Sequence, residues 1–340
     1  MLQAIMVKPG KIIYKEIEKP IPKKNEVLIK VKKIGICGSD MHVFHGVHPY
    51  TDYPIVQGHE VSGIIEEKGS LVYDYHLKEK VILMPQVTCG KCYPCRHGMY
   101  HICDELKVMG FQTNGAAQEY ISVDKEMILK IPESLSFDEG AMIEPAAVAT
   151  HAIGRGGEVS GKKILVLGAG PIGNLVGQVA KSLGASQVMI TDLSEFRLNI
   201  ARGCGIDFAI NSKNEELNDT IIENFGKDKA DIIFECVGIQ ETISQAISVA
   251  RKGSKIIIVG VYGKKPIVDL GLVQDRELSL IGTLMYQKND FLRAIELTAN
   301  GKLLLKKLIT SEFPFSKYLN AYEYILKKKD KVMKAMISLE

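Results

Sequence analysis

The sequence predicts an α/β protein of two domains, a mostly β domain followed by a doubly wound parallel sheet. Two observations carry that prediction. Up to about residue 147 the apolar residues come in short β-type runs parted by proline and glycine, whereas from Lys163 onward longer apolar strands alternate with helical patterns. The length agrees, since 340 residues exceed one core at roughly 150 residues per domain.

In the first region the runs at 4–7, 12–14 and 27–31 are joined through Pro9-Gly10, Pro20 and Pro22, and the pattern resumes at 61–66, 80–84, 119–123 and 128–131. Strands linked by such turns suit a compact, partly closed β domain. The second region opens with the unbroken apolar run 163–167, as in a parallel strand buried on both faces. A helix then runs through Leu183. Strands follow at 187–191, 207–210, 231–235, 255–259 and 278–281, with helices over 215–225 and 240–250 between them. Helices at 289–298 and 320–328 and a strand at 335–339 exceed what a six-stranded nucleotide domain needs, so the chain is expected to return to its first domain. The expected division is 1–147 with 285–340 against 148–284.

A hydrophobic fraction of 46% and a charged fraction of 24% are those of an ordinary globular protein. A net charge of +3, with both signs interspersed, leaves no footprint for a nucleic-acid partner. Lys327-Lys328-Lys329 reads as a solvated helix face. Met1 to Lys11 lacks the pattern of a secretory leader, and no apolar run reaches the ~18 residues of a membrane span, so a cytoplasmic protein without a membrane partner is expected.

Four of the seven cysteines, Cys89, Cys92, Cys95 and Cys103, follow one another at intervals of three, three and eight. That spacing wraps a loop around a tetrahedral ion and fills every position with sulfur, which is a structural zinc site rather than a catalytic one. A different mixture lies upstream. Gly35-Ile36-Cys37-Gly38-Ser39-Asp40-Met41-His42 and Gln57-Gly58-His59-Glu60 bring a thiol, an imidazole and a carboxylate close in sequence, a set that suits zinc with an open position.

Gly168-Ala169-Gly170-Pro171-Ile172-Gly173 stands between a strand and a helix. Its glycines permit a tight turn and let a pyrophosphate approach backbone N–H groups at the helix N-terminus. Asp192, 19 residues past Gly173, is placed to accept hydrogen bonds from a ribose diol and to repel a 2′-phosphate, which favours NAD, with Arg197 nearby as a counterweight.

With these motifs in this order, the chain resembles the medium-chain zinc-dependent alcohol dehydrogenases over essentially its whole length. Within them Gly35-Ile36-Cys37-Gly38-Ser39-Asp40, Glu139-Gly140-Ala141-Met142-Ile143-Glu144-Pro145 and Ile190-Thr191-Asp192 resemble the polyol (sorbitol/iditol) and threonine branch. The resemblance implies a GroES-like catalytic domain, a Rossmann domain and two zinc ions per chain. It implies that Cys37, His59 and Glu60 ligate the catalytic zinc, with Glu144 near the metal or holding its water; which carboxylate binds directly stays open. By the same match Ser39 takes the substrate's proton, His42 passes it to solvent, and Asp40 supports a ligand. Relatives of this kind are homodimers or homotetramers.

The implied reaction is reversible, NAD-linked oxidation of a secondary alcohol to a ketone. Polyol enzymes of the animal type carry a tyrosine and an arginine where this chain has Val43 and Met285, although Tyr286 matches, so a less polar pocket is expected. Threonine enzymes carry a histidine where this chain has Gln86. The substrate is expected to be a polyol, free or phosphorylated, with L-threonine or a small diol such as butanediol as alternatives. A non-catalytic zinc and nucleotide binder is disfavoured because the whole ligand set is present.

Overall fold

The computed structural model describes residues Met1–Glu340. They form two compact units, Met1–Glu144 with Ile309–Glu340, and Pro145–Leu308.

The first unit is mostly β. Its main sheet runs, in spatial order, Ile309–Pro314, Lys334–Ser338, Glu26–Ile36, Glu60–Lys68, Lys80–Leu83 and Ile128–Lys130, and Tyr120–Asp124 also pairs with Glu26–Ile36. Glu26–Ile36 is its axis. Val27, Leu28, Ile29, Val31 and Ile34 are all buried, so the strand is covered on both faces, and its far end delivers Cys37. The C-terminal strand Lys334–Ser338 pairs with it antiparallel, placing Met336 opposite Gly35. Helix Tyr318–Lys328 packs Tyr318, Ala321 and Tyr322 into the same core and leaves Lys327 and Lys328 in solvent.

The second unit carries six parallel strands in the order Phe208–Asn211, Gln187–Asp192, Lys163–Leu167, Ile232–Glu235, Lys255–Ile258 and Ser279–Gly282. Numbered along the chain this is 3-2-1-4-5-6, the Rossmann order. The sheet diverges on either side of Lys163–Leu167, so its carboxyl end is the switch point where a dinucleotide belongs.

The return to the first unit comes later than residue 285. Helix Lys288–Ala299 buries Phe291, Ala294, Ile295 and Leu297 within the nucleotide unit. His151 Nδ1 lies 2.9 Å from Asp290 Oδ2, and the Leu304 N–H donates to Gln178 Oε1 at 2.7 Å. The amphipathic face of that helix therefore needs the parallel sheet's layers. The chain rejoins the β unit only at Ile309, through a strand, Ile309–Pro314, whose polar run Thr310-Ser311-Glu312 does not announce it.

Candidate metal centre and cofactor site

Cys37 ends the strand Glu26–Ile36 and caps the helix Gly38–Phe44, while His59 and Glu60 enter the neighbouring strand Glu60–Lys68. Strand pairing sets Gly35 opposite Glu60. A Cβ on Gly35 would stand 2.0 Å from Glu60 Oε2, so only glycine leaves room for that carboxylate. One ligand atom each from Cys37, His59 and Glu60 then meet within 4.8 Å of one another.

A fourth group enters from the other end of the chain. Lys334 Nζ donates to both carboxylate oxygens of Glu60, at 2.5 and 2.7 Å, and both residues are buried. Burial alone would discharge Lys334, but Glu60, Cys37 and Glu144 outweigh it and hold the ammonium above its usual pKa. Asp40 is equally buried: its Oδ2 accepts the Cys37 N–H at 2.8 Å, and its Oδ1 stands 3.5 Å from His59 Nδ1. Burial opposes charge on His59, yet Asp40 first and Cys37 next raise its pKa well above the ordinary imidazole value.

This environment fits a cation. Cys37, Asp40, Glu60 and Glu144 can each carry negative charge, with the Lys334 ammonium set against them, and the buried His59 imidazole turns its Nδ1 toward Asp40. A thiolate, an imidazole and a carboxylate are the donor set of zinc with a position left open. Ser39 is half-buried and His42 exposed on the same short helix, three residues apart and so on one face.

The four-thiol group is a separate assembly. Cys89, Cys92, Cys95 and Cys103 bring their sulfurs within 4.8 Å of one another, and none is in a disulfide. Cys103 Sγ lies 3.5 Å from Cys89 Sγ and 3.7 Å from Cys92 Sγ. A tetrahedron with metal–sulfur bonds of about 2.3 Å has edges of about 3.8 Å, so the spacing is that of a zinc tetrathiolate. Backbone N–H groups of Cys89 and Glu105 point at Cys103 Sγ, and that of Cys92 at Cys89 Sγ. Such donors, those of Lys91 and Cys92 foremost, pull the Cys89 thiol down to about 7.

In the nucleotide unit, Gly168 adopts φ +99°, and the helix Pro171–Ser182 starts just after the next glycine, Gly170, which is its cap. A Cβ on Gly173 would stand 1.8 Å from the Gly168 carbonyl oxygen, which explains the third glycine of the motif; Ile172 lies in the first turn. Asp192 ends the adjacent strand. Its oxygens accept the N–H groups of Ala169 at 2.8 Å and Ser194 at 2.9 Å, and Arg197 Nη1 lies 3.8 Å away. The carboxylate is thus tied to the glycine turn.

Two expected pocket residues sit elsewhere. Val43 is wholly buried in the β core, because the helix that exposes His42 must turn the next residue inward, so it does not make a pocket less polar. Tyr286 is also fully buried, its ring edge-on to Phe291 at 4.7 Å. No motif in the sequence marks Phe111. Its ring packs on His59 and stacks on His48, each at 4.8 Å. Phe111 also walls a cavity of about 490 Å³ lined by Tyr50, Asp52, Lys107, Thr113 and Asn114. Lys334 is unmarked too. Its one signal was a lysine inside the apolar run from Val332 to Ile337.

Comparison with known proteins agrees with this geometry. The family described as alcohol dehydrogenase GroES-like domain matches residues 23–133, and that described as zinc-binding dehydrogenase matches 171–300. The chain is 35% identical over 302 residues to 2-dehydro-3-deoxy-L-galactonate 5-dehydrogenase of Pseudoalteromonas atlantica, covering 88% of each chain. It is 32% identical to sorbitol dehydrogenase of Bacillus subtilis, over 94% of this chain and 92% of that one. Among solved structures, the alcohol dehydrogenase RspB of Escherichia coli CFT073, in complex with NADH, superposes with a TM-score of 0.93 at 31% identity, over 100% of this chain and 99% of that one. The protein is an oxidoreductase whose cofactors are zinc and NAD(P). The chain belongs to the zinc-dependent medium-chain alcohol dehydrogenases, in their polyol branch.

Proposed function

We propose that this dehydrogenase oxidises a secondary alcohol of a polyol or a polyol-like sugar acid, free or phosphorylated, to the ketone, reversibly and with NAD. The observation that carries the proposal is the meeting of Cys37, His59 and Glu60 within 4.8 Å, beside a half-buried hydroxyl and an exposed imidazole on one helix. Cys37, His59 and Glu60 would hold the catalytic zinc, with Glu144 buried close by, and Cys89, Cys92, Cys95 and Cys103 a structural one. When bound, the catalytic zinc lowers the pKa of the alcohol oxygen, and NAD takes the hydride.

The chain's own residues supply the rest. Ser39 accepts the alcohol proton and His42 carries it to solvent, because the hydroxyl lies at half depth and the imidazole one turn further out is in water. Gly168, Gly170, Ile172 and Gly173 receive the pyrophosphate at a helix N-terminus, and Asp192 the ribose diol. Asp192 favours NAD over NADP, while Arg197 at 3.8 Å tempers the preference.

Initial rates with NAD and NADP against sorbitol, xylitol, a hexonate, a polyol phosphate, L-threonine and 2,3-butanediol test the reading. We expect the highest kcat/KM with a polyol or sugar acid and NAD. Turnover confined to threonine or butanediol would move the enzyme to those substrates, and no turnover of any secondary alcohol by protein that binds NADH would end the proposal.

A further inference from the structure

Behind the candidate metal ligands runs a buried line of polar side chains that the reaction as described does not use. Tyr318 and Tyr322, one turn apart on helix Tyr318–Lys328, bring their hydroxyl oxygens to 3.3 Å. The Tyr322 hydroxyl donates to Gln57 Oε1 at 3.0 Å. Gln57 Nε2 in turn donates to Asp40 Oδ1 at 3.1 Å and reaches the Asp40 carbonyl oxygen at 3.4 Å. Asp40 then meets the Cys37 N–H and faces His59. Each of the four side chains is no more than 2% exposed.

The line has a direction. An ionised carboxylate only accepts, so Gln57 must turn its NH2 toward Asp40 and its oxygen the other way, where a donor is required. Tyr322 is that donor. Burial foremost, and then the Asp40 charge, hold the phenol pKa of Tyr318 above its usual value, while burial, Tyr318 and Asp40 in that order do the same for Tyr322, so both hydroxyls keep their protons. Packing does not require the hydroxyl. The Tyr322 ring stacks on Phe44 at 5.1 Å, and a phenylalanine would keep that contact. A purely structural account explains why a ring is here, but not why four hydrogen-bonded polar groups are threaded through an apolar core and end on the carboxylate beside two candidate ligands.

We propose that Tyr322 and Gln57 are positioning residues for the metal centre. Their hydrogen bonds lock the Asp40 carboxylate in the orientation that reaches both the Cys37 backbone and the His59 imidazole. The proposal rests on the reading that Cys37 and His59 hold the catalytic metal. Outer partners of this kind commonly change metal affinity by about 10–100-fold.

The test uses the zinc-loaded enzyme and follows zinc release to a chromophoric chelator, with the visible spectrum of the cobalt-substituted protein as a second readout. For Tyr322→Phe we expect zinc to leave the weaker of two sites about tenfold faster and the cobalt bands to shift. Gln57→Leu is expected to have a larger effect, about 10–100-fold. In an Asp40→Asn background Tyr322→Phe should add less than about twofold, because the carboxylate through which the line acts on the metal centre is then already gone. Unchanged release rates and cobalt bands with only a lowered Tm, or an undiminished effect of Tyr322→Phe in the Asp40→Asn background, would overturn the proposal. Should Gln57→Leu not fold, Tyr322→Phe and its double variant decide alone. If Cys37→Ser still binds two zinc ions tightly, the underlying reading of the site fails, whatever the tyrosine does.

Discussion

The two candidate metal sites of this chain are built on opposite plans. The four thiols lie within fifteen residues, and the same loop supplies backbone N–H groups that stabilise them. The Cys37, His59 and Glu60 group is gathered from two strands, with Lys334 and Tyr322 arriving from the C-terminal segment that rejoins the unit at Ile309. The local site closes on itself with four like ligands and leaves nothing for a substrate. The dispersed site mixes donor types, and its geometry depends on contacts drawn from distant parts of the β unit. A local site can therefore be read from spacing, whereas a dispersed one draws its properties from residues that no spacing links.

The largest expected contrast comes from removing one sulfur from each site. Cys37→Ser should lower kcat/KM by at least about a thousandfold, since a Lewis acid supplies several kcal/mol and each 1.36 kcal/mol is a factor of ten. One of two zinc ions should be lost, with the melting temperature close to that of the parent. Cys92→Ser should lose the other zinc and open the 89–103 loop to proteases, because metal binding there is loop-folding energy. Zinc content, limited proteolysis and steady-state rates distinguish the two. The comparison breaks if Cys37→Ser unfolds the chain while Cys92→Ser leaves its loop protected.

Lys334 gives the next largest effect. Removing one partner of a buried ion pair leaves the other charge uncompensated, at a cost of about 3–5 kcal/mol. Lys334→Met should destabilise the zinc-depleted β unit by that much in denaturant unfolding. Adding Glu60→Gln should restore most of the loss, since the buried charge is then gone as well. A loss below about 1 kcal/mol would mean that the pair is not what holds Glu60 in place.

Lys334 also marks the limit of what local sequence specifies. The Rossmann half was legible because its strands are continuous apolar runs and its glycines have a fixed local purpose, as the 1.8 Å clearance at Gly173 shows. The four thiols were legible because ligand chemistry restricts the residue types, whereas the grouping of Cys37, His59 and Glu60 was an expectation carried by the family resemblance. The partners of those ligands were not legible. Lys334 is 274 residues from Glu60 and Tyr322 is 265 from Gln57, contacts that only the late return of the chain creates. The return itself comes later than the sequence suggests, because helix Lys288–Ala299 has an ordinary amphipathic pattern that does not say which unit its apolar face will cover. Val43 and Tyr286 failed for a related reason, as correspondence along a motif does not say which way a side chain points.

The smallest expected effect tests whether the open site moves a proton along the helix Gly38–Phe44. General acid–base groups contribute about a hundredfold or more, so Ser39→Ala should lower kcat/KM by about that factor and leave both zinc ions in place. His42→Ala should cost less, because an exposed imidazole can be replaced by buffer, and added imidazole should restore part of the rate. In the double variant the losses should not multiply. If Ser39 and His42 act in series, removing the first leaves the second nothing to carry, so the pair costs no more than Ser39→Ala alone. Fully multiplicative losses would show two independent roles and would dissolve the relay, leaving the dispersed site with its ligands but without a proton path of its own.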